Sequence, residues 1–176
     1  MTRELIQAAG KEIEAGRPAF LVSIASATGS TPRAAGALML VGKGGLIGGT
    51  IGGGLLEHRC IEEAQAALSG NGCPAGEAPG GSMTGFLRSF ILDNRTAGGL
   101  GMVCGGNTEV LFTPLLLSAR EALERASSLL ERGEPCALLL PLDGSPPLSL
   151  RAGRPPAAPL PKPQICSENG HSFLTA

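Results

Sequence analysis

A run of glycines directly before an apolar helical pattern constrains this chain more than any other feature. Seven of the fourteen residues at positions 44–57 are glycine, and residues 55–68 carry apolar side chains at helical spacing. A chain that enters a helix in this way leaves backbone N–H groups bare, and these groups and the helix dipole favour an anion such as phosphate. The alternative interpretation is a mobile turn, because glycine clusters commonly mark loops.

The composition suits one α/β domain and argues against several classes of protein. The 176 residues are 43% hydrophobic and 16% charged, which is enough for a core, and the net charge of -1 disfavours nucleic-acid binding. No apolar run approaches the roughly 18 residues of a membrane span, and the first residues lack a signal-peptide core. We therefore expect a cytoplasmic protein. The five cysteines include no C-x-x-C pair, which argues against a disulfide framework or zinc site.

The apolar periodicity predicts an alternation of helices and strands. Helices are predicted over residues 2–15, 55–68 and 118–132, the last opened by a capping box at Ser118 and Glu121. Strands are predicted over residues 19–27, 36–41, 86–92, 108–112 and 136–140, with further candidates at 46–47, 148–151 and 171–174. This order predicts a single α/β domain with a mixed β-sheet flanked by helices. We place it at residues 1–140, followed by a proline-rich extension with edge strands at 141–176.

Three loops at predicted strand ends carry the groups that could perform chemistry. Residues 26–33 offer hydroxyls and the guanidinium of Arg33, residues 48–54 offer backbone donors, and residues 102–106 offer the thiol of Cys104. If these loops meet, they form a pocket for a phosphorylated or oxyanionic ligand with a sulfur ligand at one end.

Each candidate also has a simpler interpretation. Arg33 can grip a phosphate through two parallel N–H bonds, or it can be a solvated loop arginine. The hydroxyl of Ser30 can bind a ligand or only its own turn. Glu57 stands in the first turn of the helix, where it either offsets the helix dipole or faces the pocket.

Cys104 is the most suggestive of the thiols, because Gly105 and Gly106 after it allow a sharp turn. A thiolate suits a soft metal centre or a transferable sulfur, although a buried structural cysteine is the alternative. Cys60 falls on the apolar face of the second helix and is most simply core. The common nucleotide-binding and serine-nucleophile motifs are absent.

The three loops taken together resemble the XdhC/CoxI family, whose members are accessory proteins that mature molybdenum hydroxylases such as xanthine dehydrogenase and carbon monoxide dehydrogenase. The resemblance covers about residues 1–117. It rests on the order and spacing of three motifs: residues 29–33 followed by Gly36, residues 48–54 with Glu57, and residues 100–106 followed by Glu109 and Val110.

The resemblance implies a protein that binds the molybdenum cofactor (molybdopterin), supports its sulfuration by a cysteine desulfurase, and delivers it to the hydroxylase apoenzyme. It implies no enzymatic activity. The residues implied to contact the cofactor are Ser30, Arg33, Gly52, Gly53, Gly54, Glu57, Cys104, Gly105 and Gly106, with Cys104 as the metal ligand.

Longer family members carry a C-terminal Rossmann-like domain, which we expect to be absent here. If cofactor handling needs that domain, a separate chain would supply it. Two other classes stay open. One is an enzyme that acts on a nucleotide or other phosphorylated small molecule, with Cys104 or Glu57 catalytic. The other is a structural or interaction domain whose glycines serve tight packing. The sequence leaves open whether the chain forms a homodimer.

Overall fold

The computed structural model describes residues 3–70, 83–93, 99–100, 105–134, 136–142, 149–152, 165–168 and 171–175. Its helices are α1 (Arg3–Glu14), α2 (Gly54–Leu68) and α3 (Arg120–Glu131), and a 3₁₀ turn (Leu117–Ala119) precedes α3. Its strands are β1 (Ala19–Thr28), β2 (Leu38–Gly42), β3 (Gly45–Gly49), β4 (Phe86–Ile91), β5 (Asn107–Pro114), β6 (Cys136–Pro141), β7 (Ser149–Ala152), β8 (Ile165–Glu168) and β9 (His171–Thr175).

The strands form two sheets, one of five strands in the order β3-β2-β1-β5-β4 and one of four in the order β7-β6-β9-β8. Every pairing between the described strands is antiparallel. The α/β single-domain class is confirmed, but the expected mixed sheet is wrong. Short connections return the chain antiparallel from β1 to β2 and from β2 to β3, whereas a parallel pair needs a crossover of a dozen or more residues.

Strand β1 is the centre of the five-stranded sheet, and its side chains alternate between the two faces. Leu21 and Ala25 point to one face and Phe20, Val22 and Ile24 to the other, and all five are buried. The nearly continuous apolar sequence of this strand is therefore explained by cover on both faces, as predicted.

Helices α1 and α3 cover the first face, together with Leu138 and Leu140 of β6. Helix α2 covers the second face through Leu56, Cys60, Ala64 and Leu68. Three phenylalanines from three strands meet on this second face. Phe86 stacks on Phe112 with ring centroids 4.4 Å apart, and Phe20 stands edge-on to both. Such aromatic pairs stabilise a core beyond their buried area.

The four-stranded sheet joins the second half of the chain to this core. Strand β6 includes position 140, where we expected a boundary, and it pairs with β7 and β9 from the region beyond that position. The boundary stays a prediction. Within the described ranges, none of the helices combines the length and apolarity that crossing a membrane requires.

Candidate functional site

Two of the three predicted loops meet where β1 ends and β5 begins. Gly106, next to the first residue of β5, lies directly against the loop that follows β1. A Cβ atom on Gly106 would stand 2.6 Å from the carbonyl oxygen of Thr28 and would also collide with that of Ser30. On the other side, a Cβ on Gly29 would lie 3.1 Å from the Cα of Gly106 and 3.6 Å from the carbonyl oxygen of Gly105. The two loops therefore touch backbone to backbone, which only glycine permits.

The glycine loop, residues 50–54, closes on the same loop from its other end. Gly52 has a φ of +130°, and a Cβ there would stand 2.7 Å from the Cβ of Pro32 and 3.3 Å from the Cγ of Arg33. The loop of residues 28–33 is thus held between residues 105–106 and Gly52. The geometry brings together Ser30, Arg33, Gly52, Gly53, Gly54, Gly105 and Gly106 at one end of the sheet. Cys104 lies outside the described residues.

The glycine loop is anchored rather than loose. Ile51 is completely buried among the side chains beneath α2. The Oε2 atom of Glu57 accepts hydrogen bonds from the Thr50 hydroxyl at 2.5 Å, from the Ile51 N–H at 3.0 Å and from the Gly53 N–H at 3.1 Å. The N–H of Gly52 donates to the Thr50 hydroxyl oxygen at 3.1 Å.

These bonds correct the expectation of bare amides before the helix. Three successive N–H groups, from Ile51 to Gly53, already have acceptors within the chain. Gly54 is the first residue of α2. The carboxylate of Glu57 therefore stands where an external phosphate was expected, and of the two interpretations of Glu57 the offset of the helix dipole matches this geometry.

The pKa of the Glu57 carboxyl lies below its usual range. Partial burial raises this pKa, but the hydrogen bonds from Thr50, Gly53, Ile51 and Gly52 together lower it by more. The group is thus a carboxylate at neutral pH, which is the form that accepts these bonds best.

Arg33 contrasts with Glu57, because its side chain is exposed. It makes neither a hydrogen bond nor an ion pair with any part of the chain that the structure describes. Its carbonyl oxygen accepts a bond from the Thr31 hydroxyl at 3.1 Å, which shapes the turn. The guanidinium is therefore free to bind an anion from solution.

Two further residues fix the site and were not predicted to do so. Thr50 links Gly52 to Glu57, as described above, and it lies within the glycine run of the sequence. Glu109 of β5 accepts a 2.6 Å hydrogen bond from Ser26 at the irregularity between β1 and β5. Ser26 lies in β1, within the strand predicted over residues 19–27. A side-chain pair 83 residues apart in sequence leaves no local signal.

The remaining polar features lie elsewhere. A cavity of about 350 Å³ is lined by Pro18, Lys43 and neighbouring residues, at the start of β1, about 30 Å along the strand from the loop cluster. Cys60 is buried, and burial raises the pKa of its thiol, as expected of a core cysteine. Among the described residues, no three His, Cys, Asp or Glu side chains are grouped to hold a metal.

Comparison with known proteins bears directly on these loops. A model of the XdhC and CoxI family matches residues 12–73, the stretch that contains both Arg33 and the glycine loop. Residues 12–73 are therefore similar to the XdhC and CoxI family. This match confirms the resemblance over the first two motifs, residues 29–36 and 48–57, and the family is associated with the maturation of molybdenum hydroxylases. No curated protein matches the chain.

A crystal structure described as a xanthine dehydrogenase from Bacillus halodurans shares the fold. It superposes with a TM-score of 0.58 at 18% sequence identity and covers 98% of this chain. At that identity the likeness shows the fold alone. The chain spans 40% of the length of that protein.

Proposed function

We propose that this chain is a cytoplasmic accessory protein that binds the molybdenum cofactor and assists its sulfuration and insertion into a xanthine dehydrogenase-type hydroxylase. The observation that carries the proposal is the family match over residues 12–73, since the matched stretch contains the exposed Arg33 and the glycine loop that it touches. The partners that follow are the hydroxylase apoenzyme and a cysteine desulfurase.

The described residues fit the anionic end of such a cofactor. Its terminal phosphate needs a cation, and the exposed guanidinium of Arg33 offers two parallel N–H donors. The neighbouring backbone of Gly52, Gly105 and Gly106 carries no side chains that would keep a flat pterin ring away. Ser30 is exposed on the same loop and adds a hydroxyl.

In this proposal Cys104 binds the metal end of the cofactor. Bound molybdenum would supply the redox and sulfur chemistry of the target enzyme, and a thiolate is the protein ligand type that suits a soft centre. The part played by this chain is to hold the phosphate and pterin and to keep the cofactor from water until transfer.

An enzyme acting on a phosphorylated small molecule is the alternative function. The geometry weakens one of its two catalytic candidates, because the Oε2 atom of Glu57 already accepts three hydrogen bonds and the pKa of the group is lowered. A carboxylate held in this way is a poor general base at neutral pH. The alternative therefore depends on Cys104.

The test is to co-express the chain with an active molybdenum-cofactor pathway and to measure molybdenum and pterin per purified polypeptide. We expect near-stoichiometric pterin in the wild type. In Arg33→Ala we expect a loss of pterin of about tenfold or more, and each tenfold corresponds to about 1.4 kcal/mol of binding free energy. Cys104→Ala is expected to lose molybdenum. Arg125→Ala, which removes an exposed arginine on α3, is the matched control and should retain both.

Wild-type protein without pterin under these conditions would refute the chaperone and favour the enzyme. Equal loading of the wild type and Arg33→Ala would show that the phosphate is held elsewhere.

A further inference from the structure

One oxygen atom organises the whole glycine loop. The Oε2 atom of Glu57 accepts from Thr50, Ile51 and Gly53, and the fourth donor, the Gly52 N–H, is bound to Thr50 itself. This is the arrangement that an anion-binding loop makes around a bound phosphate oxygen, but here the anion is a side chain of the same chain.

This internal carboxylate changes what the amino end of α2 can do. The backbone donors before a helix and the positive end of its dipole ordinarily attract an external anion. Here the donors are satisfied, and an approaching phosphate also meets the negative charge of Glu57, which repels it. The glycine loop before α2 is therefore closed to phosphate while Glu57 is ionised.

The same bonds determine where Gly52 lies, and Gly52 supports the neighbouring loop. It stands against the side chains of Pro32 and Arg33 closely enough that a Cβ would collide with Pro32. Fixing Gly52 therefore fixes the base from which the Arg33 side chain extends into solvent.

We propose that Glu57 is an internal anion that excludes the ligand's phosphate from the glycine loop before α2 and directs it to Arg33. Glu57 is thus a positioning residue and makes no contact with the ligand. The inference rests on the proposed function, because it concerns the anionic group of the same ligand. It specifies that Arg33, among the predicted contacts, binds that group.

The test uses residue-resolved NMR of the 15N-labelled chain titrated with inorganic pyrophosphate. In the wild type we expect the Arg33 side-chain N–H signal to shift, with the amide signals of Ile51 and Gly53 unmoved. In Glu57→Ala the vacated donors are open, so pyrophosphate should now shift both amide signals, and its affinity for Arg33 should fall about fivefold.

The matched control is Glu62→Ala, which removes an exposed carboxylate on the outer face of the same helix. It should behave as the wild type. Glu57→Gln keeps an acceptor without the charge, and it provides a second variant if the alanine variant does not fold. It should admit pyrophosphate to the amides more weakly than alanine does. A general loss of stability would not transfer pyrophosphate binding from the Arg33 signal to the amide signals of Ile51 and Gly53.

Wild-type Ile51 and Gly53 signals that shift with pyrophosphate would overturn the inference, and so would an unmoved Arg33 signal. Failure of the proposed function is distinguishable. A chain that gains no pterin during co-expression but shows the Arg33-specific shift would lose its cofactor assignment and keep the exclusion by Glu57.

Discussion

The starts of α2 and α3 differ in a way that their sequences conceal. The start of α2 offers glycines and no capping side chain at its first position, yet the carboxylate of Glu57 returns to accept from the preceding backbone. The start of α3 carries Ser118 and Glu121 at capping-box spacing, yet it has no side-chain cap hydrogen bond.

The difference shows that packing decides where a helix begins. At α3 the chain first makes a 3₁₀ turn, and the residue before the helix is Ala119, which is 2% exposed in the core under α1. Burying this alanine places the N-cap of the helix one residue beyond the serine, so the predicted capping box is wrong. At α2 the buried Ile51 holds the loop in reach of Glu57.

Gly52→Ala should have the largest effect on stability, and it tests the structure described for the start of α2. The substitution requires a strained φ and a collision with Pro32, so we expect about 2–4 kcal/mol of destabilisation in urea unfolding. Gly54→Ala is the control, because its Cβ meets nothing within 4 Å. It should cost about 1 kcal/mol, from its positive φ alone. Equal costs would contradict the close approach of the two loops.

Glu57→Ala should come next, at about 1–3 kcal/mol in the same measurement. It leaves Thr50, Ile51 and Gly53 without their shared acceptor, and bonds to an ionised group are the stronger kind. Glu57→Gln should cost less, because one amide oxygen can still accept. A loss no larger than that in Glu62→Ala would show that the carboxylate does not hold the loop.

The pH dependence of unfolding tests the same hydrogen bonds of Glu57, and we expect a smaller effect. The pKa of Glu57 is lower in the folded chain than in the unfolded chain. Its contribution is therefore fully present above the unfolded value of about 4.3 and is lost as the pH falls through the folded value. The stability difference between the wild type and Glu57→Gln should shrink across that window. A difference that stays constant to lower pH would contradict the ionised bond network.

Ser118→Ala should have the smallest effect. A working N-cap serine typically contributes about 1 kcal/mol, but here no cap bond exists to lose. We expect a change below about 0.5 kcal/mol in urea unfolding. A loss near 1 kcal/mol would restore the capping box and remove the contrast between the two helix starts.

Much of the fold could be read from the sequence. The continuous apolar run of β1 predicted a strand covered on both faces, and the spacing from Leu56 to Leu68 predicted the buried face of α2. The direction of strand pairing could not be read, because a strand carries the same pattern whichever way its neighbour runs. Strand β8 was missed, since its four residues lie in a segment without clear periodicity.

The site was predictable as a set of loops but not as a set of contacts. Glycines at strand ends indicated close approach, and Gly52 and Gly106 do touch the loop of residues 28–33. The orientation of Glu57 depends on where Thr50 and Ile51 fall in space, so the sequence left two interpretations. The assignment of these residues to cofactor binding stays a prediction.

The three packed phenylalanines have a practical consequence for any search for a bound chromophore. The chain contains no tryptophan or tyrosine, so its intrinsic light emission comes from phenylalanine rings such as this buried trio. Phenylalanine emits weakly and only deep in the ultraviolet. Visible-range fluorescence from the purified polypeptide would therefore come from a bound molecule, because the polypeptide itself emits almost nothing in that range.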